Sequence, residues 1–417
     1  MIMIYHVFRF LFLVGIRIAA IRNTKALHWI DGRKSWRKRL KNEWNLSPQE
    51  KVIWMHCASV GEFEQGRPLL EAIRKQNPTI KLLLTFFSPS GLNMHKKFEG
   101  VDYVSYLPFD GKNNARDFID IIRPTLVIFV KYEFWYFYLT TLKNKQIPVI
   151  LASGLFRKSQ PFFQTWGSFH RHMLGCFTRL FVQNEESVRL LQSIHLHQQT
   201  EMTGDTRFDR VAEIATQPFS FPVLESFANE KILIAGSTWP EDEKLLLDWH
   251  QRQQDWKLII VPHEVSASHI SGLKAMFPSS ITLSEQSMAQ PLSSTRVLII
   301  DQMGLLSKLY RYASLCYIGG GLNKSGHHNI LEAAVYGKAV VTGPFIEKFS
   351  ESVSLKKAGG SFIVRNGSDL FDITTKEETC INAGKIAGRF VQMHRGATKK
   401  MIDWLVNHQP NLLLTKA

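Results

Sequence analysis

By type and position, two carboxylates and a run of histidines are the residues of this sequence best suited to chemistry. Glu62 closes the stretch His56-Cys57-Ala58-Ser59-Val60-Gly61-Glu62, which lies between an apolar run, Val52–Met55, and a helical pattern with Leu69, Leu70 and Ile73 on one face. That order predicts a strand, a small-residue turn and a helix start. A carboxylate in a first helical turn is kept charged by the helix dipole. In a cleft it acts as a general base; elsewhere it is only a cap. Glu133, in Lys131-Tyr132-Glu133-Phe134-Trp135, is the second carboxylate candidate, either an acid–base group or a structural acceptor among aromatic rings. Ser88-Pro89-Ser90-Gly91 either holds a phosphate or caps a helix.

The second group lies in the other half of the chain. Leu315–Ile318 runs into Gly319-Gly320-Gly321, then Asn323, Gly326-His327-His328-Asn329 and a helix expected from Ile330 through Glu332 to Tyr336. Glycines before a helix let backbone N–H groups approach an anion, and the helix dipole adds to the attraction. Glu332, one turn in, is placed to accept hydrogen bonds from a ribose. Asn329 is a ligand contact or an N-cap. His327 and His328 are ligand contacts or surface polar groups of a turn.

Several familiar motifs fail. Lys324 breaks the G-x-G-x-x-G dinucleotide pattern, and Gly337-Lys338 lacks the rest of a phosphate-binding loop. His263 to His269 is not H-E-x-x-H, and no D-x-D occurs, so no metal is expected. Cys57, Cys176, Cys316 and Cys380 are scattered without a pairing pattern, which suits reduced thiols in a cytosolic compartment.

The elements that must position these residues alternate. In the first half, expected strands Val52–Met55, Lys81–Phe86, Tyr103–Tyr106, Thr125–Val130, Val149–Ala152 and Leu180–Val182 are separated by helical segments such as Glu64–Gln76, Asn114–Ile122 and Glu185–Ser193. A second series comprises Lys231–Thr238, Leu258–Val261, Val297–Ile300, Leu315–Ile318 and Ala339–Thr342. Such alternation predicts α/β units with parallel sheets and ligands at the carboxyl ends of the strands. Residues 214–229, with Pro218 and Pro222, break the pattern. The expected divisions are 1–45, an anchor and basic segment; 46–213, a first Rossmann-like domain; and 214–417, a second.

At 417 residues the chain is long enough for two such domains, and 51 Lys+Arg against 36 Asp+Glu give a formal charge of +15. An acidic partner is therefore expected. Residues 1–21 are apolar but contain Arg9 and Arg17, and a dense basic run from Arg22 to Lys41 follows. Charges after the apolar run are wrong for a cleaved signal and suit a helix lying in or partly crossing a membrane. An apolar helix packed on the domain is the alternative. A basic nucleic-acid-binding protein would interleave basic residues with aromatics on one surface; here the densest basic run follows the apolar segment, so no nucleic acid partner is expected.

Taken together these residues resemble the bacterial 3-deoxy-D-manno-octulosonic acid (Kdo) transferases that act on lipid A. The likeness spans nearly the whole chain: Gly32-Arg33-Lys34, Ser59-Val60-Gly61-Glu62, Glu133-Phe134-Trp135, Gln183 to Glu186, Gly204 to Asp209, Gly236-Ser237-Thr238, Val261-Pro262, Asp301-Gln302-Met303-Gly304 and His328 to Glu332. The resemblance implies a GT-B fold, two Rossmann-like domains facing a central cleft, with an N-terminal membrane-associated helix. It implies a metal-independent, cofactor-free transfer of Kdo from CMP-Kdo to a phosphorylated, acylated lipid A precursor, on the cytoplasmic face of the inner membrane. Glu62 would be the general base, and the CMP pocket maps onto Pro262, Met303, Gly304, Asn329 and Glu332. Gly326, His327, His328 and His263 complete the expected nucleotide-sugar set. The chain departs from the family in four places: His263 replaces an Arg, Lys131 replaces an acid, Trp239 replaces a His, and the basic segment before the first strand is shorter than the resemblance implies. Another GT-B enzyme using a different nucleotide sugar on a membrane lipid is the nearest alternative.

Overall fold

The computed structural model describes residues 2–227, 230–286, 295–324 and 326–413. It divides into two compact units, Met1–Arg210 with Gly396–Ala417, and Val211–Arg395. Each unit holds one seven-stranded sheet. The strands of the first are β1 (Val52–Cys57), β2 (Lys81–Phe86), β3 (Tyr103–Tyr106), β4 (Leu126–Val130), β5 (Val149–Gly154), β6 (Arg179–Val182) and β7 (Thr200–Met202). Those of the second are β8 (Lys231–Thr238), β9 (Trp256–Pro262), β10 (Ile281–Thr282), β11 (Val297–Ile299), β12 (Leu315–Ile318), β13 (Val340–Thr342) and β14 (Ser361–Ile363).

The strand orders are β3-β2-β1-β4-β5-β6-β7 and β10-β11-β9-β8-β12-β13-β14. Every pairing is parallel. Parallel strands covered by helices on both faces read as continuous apolar runs, and β1 and β4 are buried at every residue. In each sheet the order reverses once, between β1 and β4 and between β8 and β12. Crevices for ligands open at the carboxyl ends of such strand pairs.

Three helices precede β1: α1 (Ile2–Ala19), α2 (Thr24–Asp31) and α3 (Trp36–Glu43). Trp36, Leu40 and Trp44 are buried in the same apolar cluster as Trp54 and Phe118. The segment 1–45 is thus continuous with the first unit and not a separate body. By contrast α1, with 18 residues, buries none of them and is long and apolar enough to cross a membrane.

The C-terminus departs from the expected division. Residues 396–417 belong to the first unit, because Met401, Ile402, Trp404 and Leu405 pack with Leu69, Leu70 and Ile73. Short helices Thr206–Thr216 and Pro222–Glu225 occupy part of the segment expected to be irregular; residues 228 and 229 lie outside the described ones.

Candidate active site

Glu62 and Glu133 follow the two strands that flank the reversal in the first sheet. Glu62 is the third residue of α4 (Val60–Gln76), capped by Ser59 in an extended conformation. The Ser59 hydroxyl donates to the Glu62 carboxylate and leaves the helix amides uncapped. Glu62 therefore sits half-exposed in the first turn of α4. Both carboxylates bear on Cys57 at the end of β1, whose buried thiol is pushed far up by burial first, and then by Glu62 and Glu133. Burial also raises the Tyr132 phenol, with Arg157 and Arg207 opposing and Glu62 adding to the rise. Of those two guanidiniums, Arg207 is held by Asp205 Oδ2 at 2.6 Å.

Glu133 is differently placed. It is 6% exposed, and its Oε2 accepts a hydrogen bond of 2.5 Å from the Trp135 indole. His56 Nε2 lies 2.9 Å from the same oxygen, off the hydrogen-bonding direction. On the other side of the ring, His56 Nδ1 is 3.0 Å from the Thr85 carbonyl, which can only accept, so Nδ1 carries a proton. Glu133 is committed as an acceptor that orders its loop; Glu62 alone of the pair is open to a substrate. Ser88 Oγ accepts from Gly91 N at 3.1 Å, the cap reading of that stretch.

In the second unit the groups expected to meet a nucleotide sugar gather beyond β8, β9 and β12. His263 follows Pro262 at the end of β9, and its N–H donates to the Thr238 carbonyl at 3.0 Å. The ring of His263 stacks on Trp239 (4.5 Å between centroids, 25°) and on His328 (4.4 Å, 24°). The Trp239 indole donates to His328 Nε2 at 3.3 Å. Two of the departures from the family pattern, Trp239 and His263, are therefore in direct contact and change one surface together. Burial, followed by His263 and His327, lowers the His328 pKa to about 4. Its ring is neutral at pH 7.

The remaining expected residues separate into groups. His327 is 4% exposed, with its ring against Phe349 and Nδ1 at 2.6 Å from the His328 carbonyl. It builds the turn, as does Gly326 with φ 89°. Asn329 Oδ1 accepts from Leu331 N at 3.1 Å, and its amide donates to Glu332 at 3.2 Å. The helix there is only Leu331–Ala334, shorter than the Ile330–Tyr336 expected, so the anticipated dipole is small. Met303 is 69% exposed and, with Gly304 at φ 85°, follows β11, the neighbour of β9. Gly319 is obligatory: a Cβ would collide with the Ser237 carbonyl.

The family described as 3-Deoxy-D-manno-octulosonic-acid transferase (kdotransferase) matches residues 34–210, the region holding both carboxylates. A 3-deoxy-D-manno-octulosonic acid transferase of Rickettsia prowazekii is 25% identical over 371 residues, 84% of this chain and 78% of that one. Over most of its length the chain is thus similar to Kdo transferases, which supports a glycosyltransferase. The Kdo transferase likeness extends to a bifunctional glycosyltransferase/methyltransferase of Fusobacterium nucleatum, 25% identical over 326 residues, 74% of this chain. The chain spans about half, 50%, of that relative. In fold, the chain is similar to the UDP-GlcNAc 2-epimerase of Neisseria meningitidis (TM-score 0.61, 14% identity, 86% of this chain and 100% of that one), consistent with two parallel α/β units of the GT-B class.

Sequence reading missed the residues that hold this candidate site in place. Asp242 is fully buried and accepts from Tyr317 Oη (2.7 Å), Gly320 N (2.8 Å) and Trp239 N (2.9 Å), which fixes the glycine-rich turn beside Trp239. Glu243, 2% exposed, joins Thr238 Oγ1 (3.0 Å) to His269 Nε2 (2.9 Å). The acids after Pro240 read in the sequence as helix caps; only the crossing of β12 reveals the second task.

Proposed function

We propose that the chain transfers Kdo from CMP-Kdo to a hydroxyl of a lipid A precursor in lipopolysaccharide biosynthesis, with inversion. Glu62 takes the hydroxyl proton as that oxygen bonds to the anomeric carbon of Kdo. The bond from that carbon to the CMP phosphate breaks, and CMP leaves with the electron pair. The position of Glu62, half-exposed in a first helical turn at the switch of a parallel sheet and bonded among the described residues to Ser59, carries this reading. Arg157 and Arg207, which act on the same neighbourhood, suit an anionic acceptor.

His263, His328 and Trp239 supply a planar surface for the nucleotide, with Asn329 and Glu332 toward the ribose and Pro262, Met303 and Gly304 around it. The family arginine that would meet the donor is absent, so nucleotide affinity rests on stacking more than on charge. We further propose that transfer needs no metal, and that α1 and the +15 charge hold the protein on the cytoplasmic face of the inner membrane.

Product formation from CMP-Kdo and a lipid A precursor tests this directly. Wild type is expected to be active with and without EDTA, and Glu62→Gln to lose about 10²–10⁴ in kcat. An active Glu62→Gln would remove the base assignment and keep the reaction. Inactive folded wild type, followed by turnover of another nucleotide sugar, would replace the donor.

A further inference from the structure

A simple membrane anchor gains nothing from Tyr5 and Arg9 of α1, yet here both are used. Tyr5 Oη donates to Asp110 Oδ2 at 2.5 Å. The Arg9 guanidinium donates to the Asp110 carbonyl and lies over Phe137 at 5.1 Å. Asp110 is 1% exposed, and the same carboxylate accepts the N–H groups of Phe137 (3.1 Å) and Tyr138 (3.2 Å). Those amides open the helix Tyr136–Asn144, which starts directly after Glu133-Phe134-Trp135.

A second route reaches the same segment. The Phe12 ring lies 6.1 Å from Phe87, and Phe87 stacks on Trp135 at 5.1 Å and 29°. Trp135 in turn holds Glu133. Tyr5, Arg9 and Phe12 form one stripe of α1 at the i, i+4, i+7 spacing. Phe8, Phe10 and Leu11 lie off it and are 60–65% exposed. Lys131, two residues before Glu133, has φ 68°, a strained conformation that the surroundings must hold.

We propose that α1 is a strut that positions the Glu133 segment: Tyr5 through Asp110 and Phe12 through Phe87 and Trp135 set the geometry of the acceptor side of the site. In its catalytic consequence this rests on the proposed transfer reaction; in its structural claim it does not. Docking of the helix, and not membrane attachment alone, then governs turnover. The outer face remains free for lipid.

The test uses the full chain in detergent micelles with a micellar acceptor, where attachment is not limiting. Tyr5→Phe and Phe12→Ala are expected to speed amide exchange of Phe137 and Tyr138 at least tenfold. They should lower kcat about fivefold at unchanged KM for CMP-Kdo, with Phe12→Leu restoring most of both. Phe10→Ala is expected to weaken binding to anionic vesicles and to leave exchange and kcat as in wild type. Unchanged exchange in both Tyr5→Phe and Phe12→Ala would overturn the strut, whatever the activity. Wild-type protein that transfers no Kdo would defeat the proposed reaction, and the exchange comparison would still decide the strut.

Discussion

Burial holds two histidines of the second unit neutral well below their ordinary range. His328 is lowered to about 4 by burial and by His263 and His327, and His250 to about 4 by burial and by Arg296. In the unfolded chain both titrate near 6.5. Between those values the unfolded chain binds protons that the folded chain refuses. Stability is therefore complete above about pH 6.5 and falls as the pH drops toward about 4. The melting temperature of the second unit is expected to fall several degrees from pH 7 to pH 5, and His250→Gln with His328→Gln to flatten that fall. An equal fall in the double variant would assign the acid sensitivity elsewhere. The placement of Glu62 was legible because its turn and helix are local. Of the partners of Glu133, Trp135 is two residues along the chain, whereas His56 arrives from β1, the parallel neighbour of β4, a relation that no spacing along the chain encodes.

The element that aims Glu62 is α4, and its fit depends on one position. A Cβ at Gly66 would meet Met55 Sδ at 2.7 Å and Val130 Cγ2 at 3.0 Å, so α4 lies directly on β1 and β4. Gly66→Ala forces the helix off the sheet. It is expected to cost about 1–3 kcal/mol of stability and to lower kcat more than donor affinity, because Glu62 is one turn away. Denaturant midpoints with steady-state kinetics check this; normal kcat in a destabilised Gly66→Ala protein would show that Glu62 tolerates the displacement. The long central elements were readable from apolar runs and helical periodicity. The strands passed over, β7, β10 and β14, are edges of two or three residues such as Thr200-Glu201-Met202, too short for any period to register.

For the whole molecule, order along the chain misleads. The helix Ala397–His408 follows the second unit yet completes the core of the first, where Trp404 meets Phe181 edge-on at 5.6 Å. Ending the chain at Arg395 would uncover Leu69, Leu70 and Ile73. It is expected to destabilise the first unit by several kcal/mol while the second keeps its own transition, as calorimetry or limited proteolysis would resolve. Matched loss in both units would mean that they unfold together. The expected boundary near residue 213 came from a break in pattern, whereas the return at Gly396 carries no such signal, because a helix looks alike in either unit.

Asp209 holds the two crossings together: its carboxylate accepts the N–H groups of Gly396 (2.6 Å) and Thr398 (2.7 Å), beside the point where the chain departs after Arg210. In connectivity, then, residues 211–395 are an insertion that leaves the first unit within the helix Thr206–Thr216 and returns at Gly396, the cap of the helix Ala397–His408, with entry and exit side by side. A recombination event at that one junction would exchange the entire second sheet, with its glycine-rich turn and histidines, and leave Glu62, Glu133 and α1 as they stand. The fold is modular at a place where the linear sequence shows only one seam.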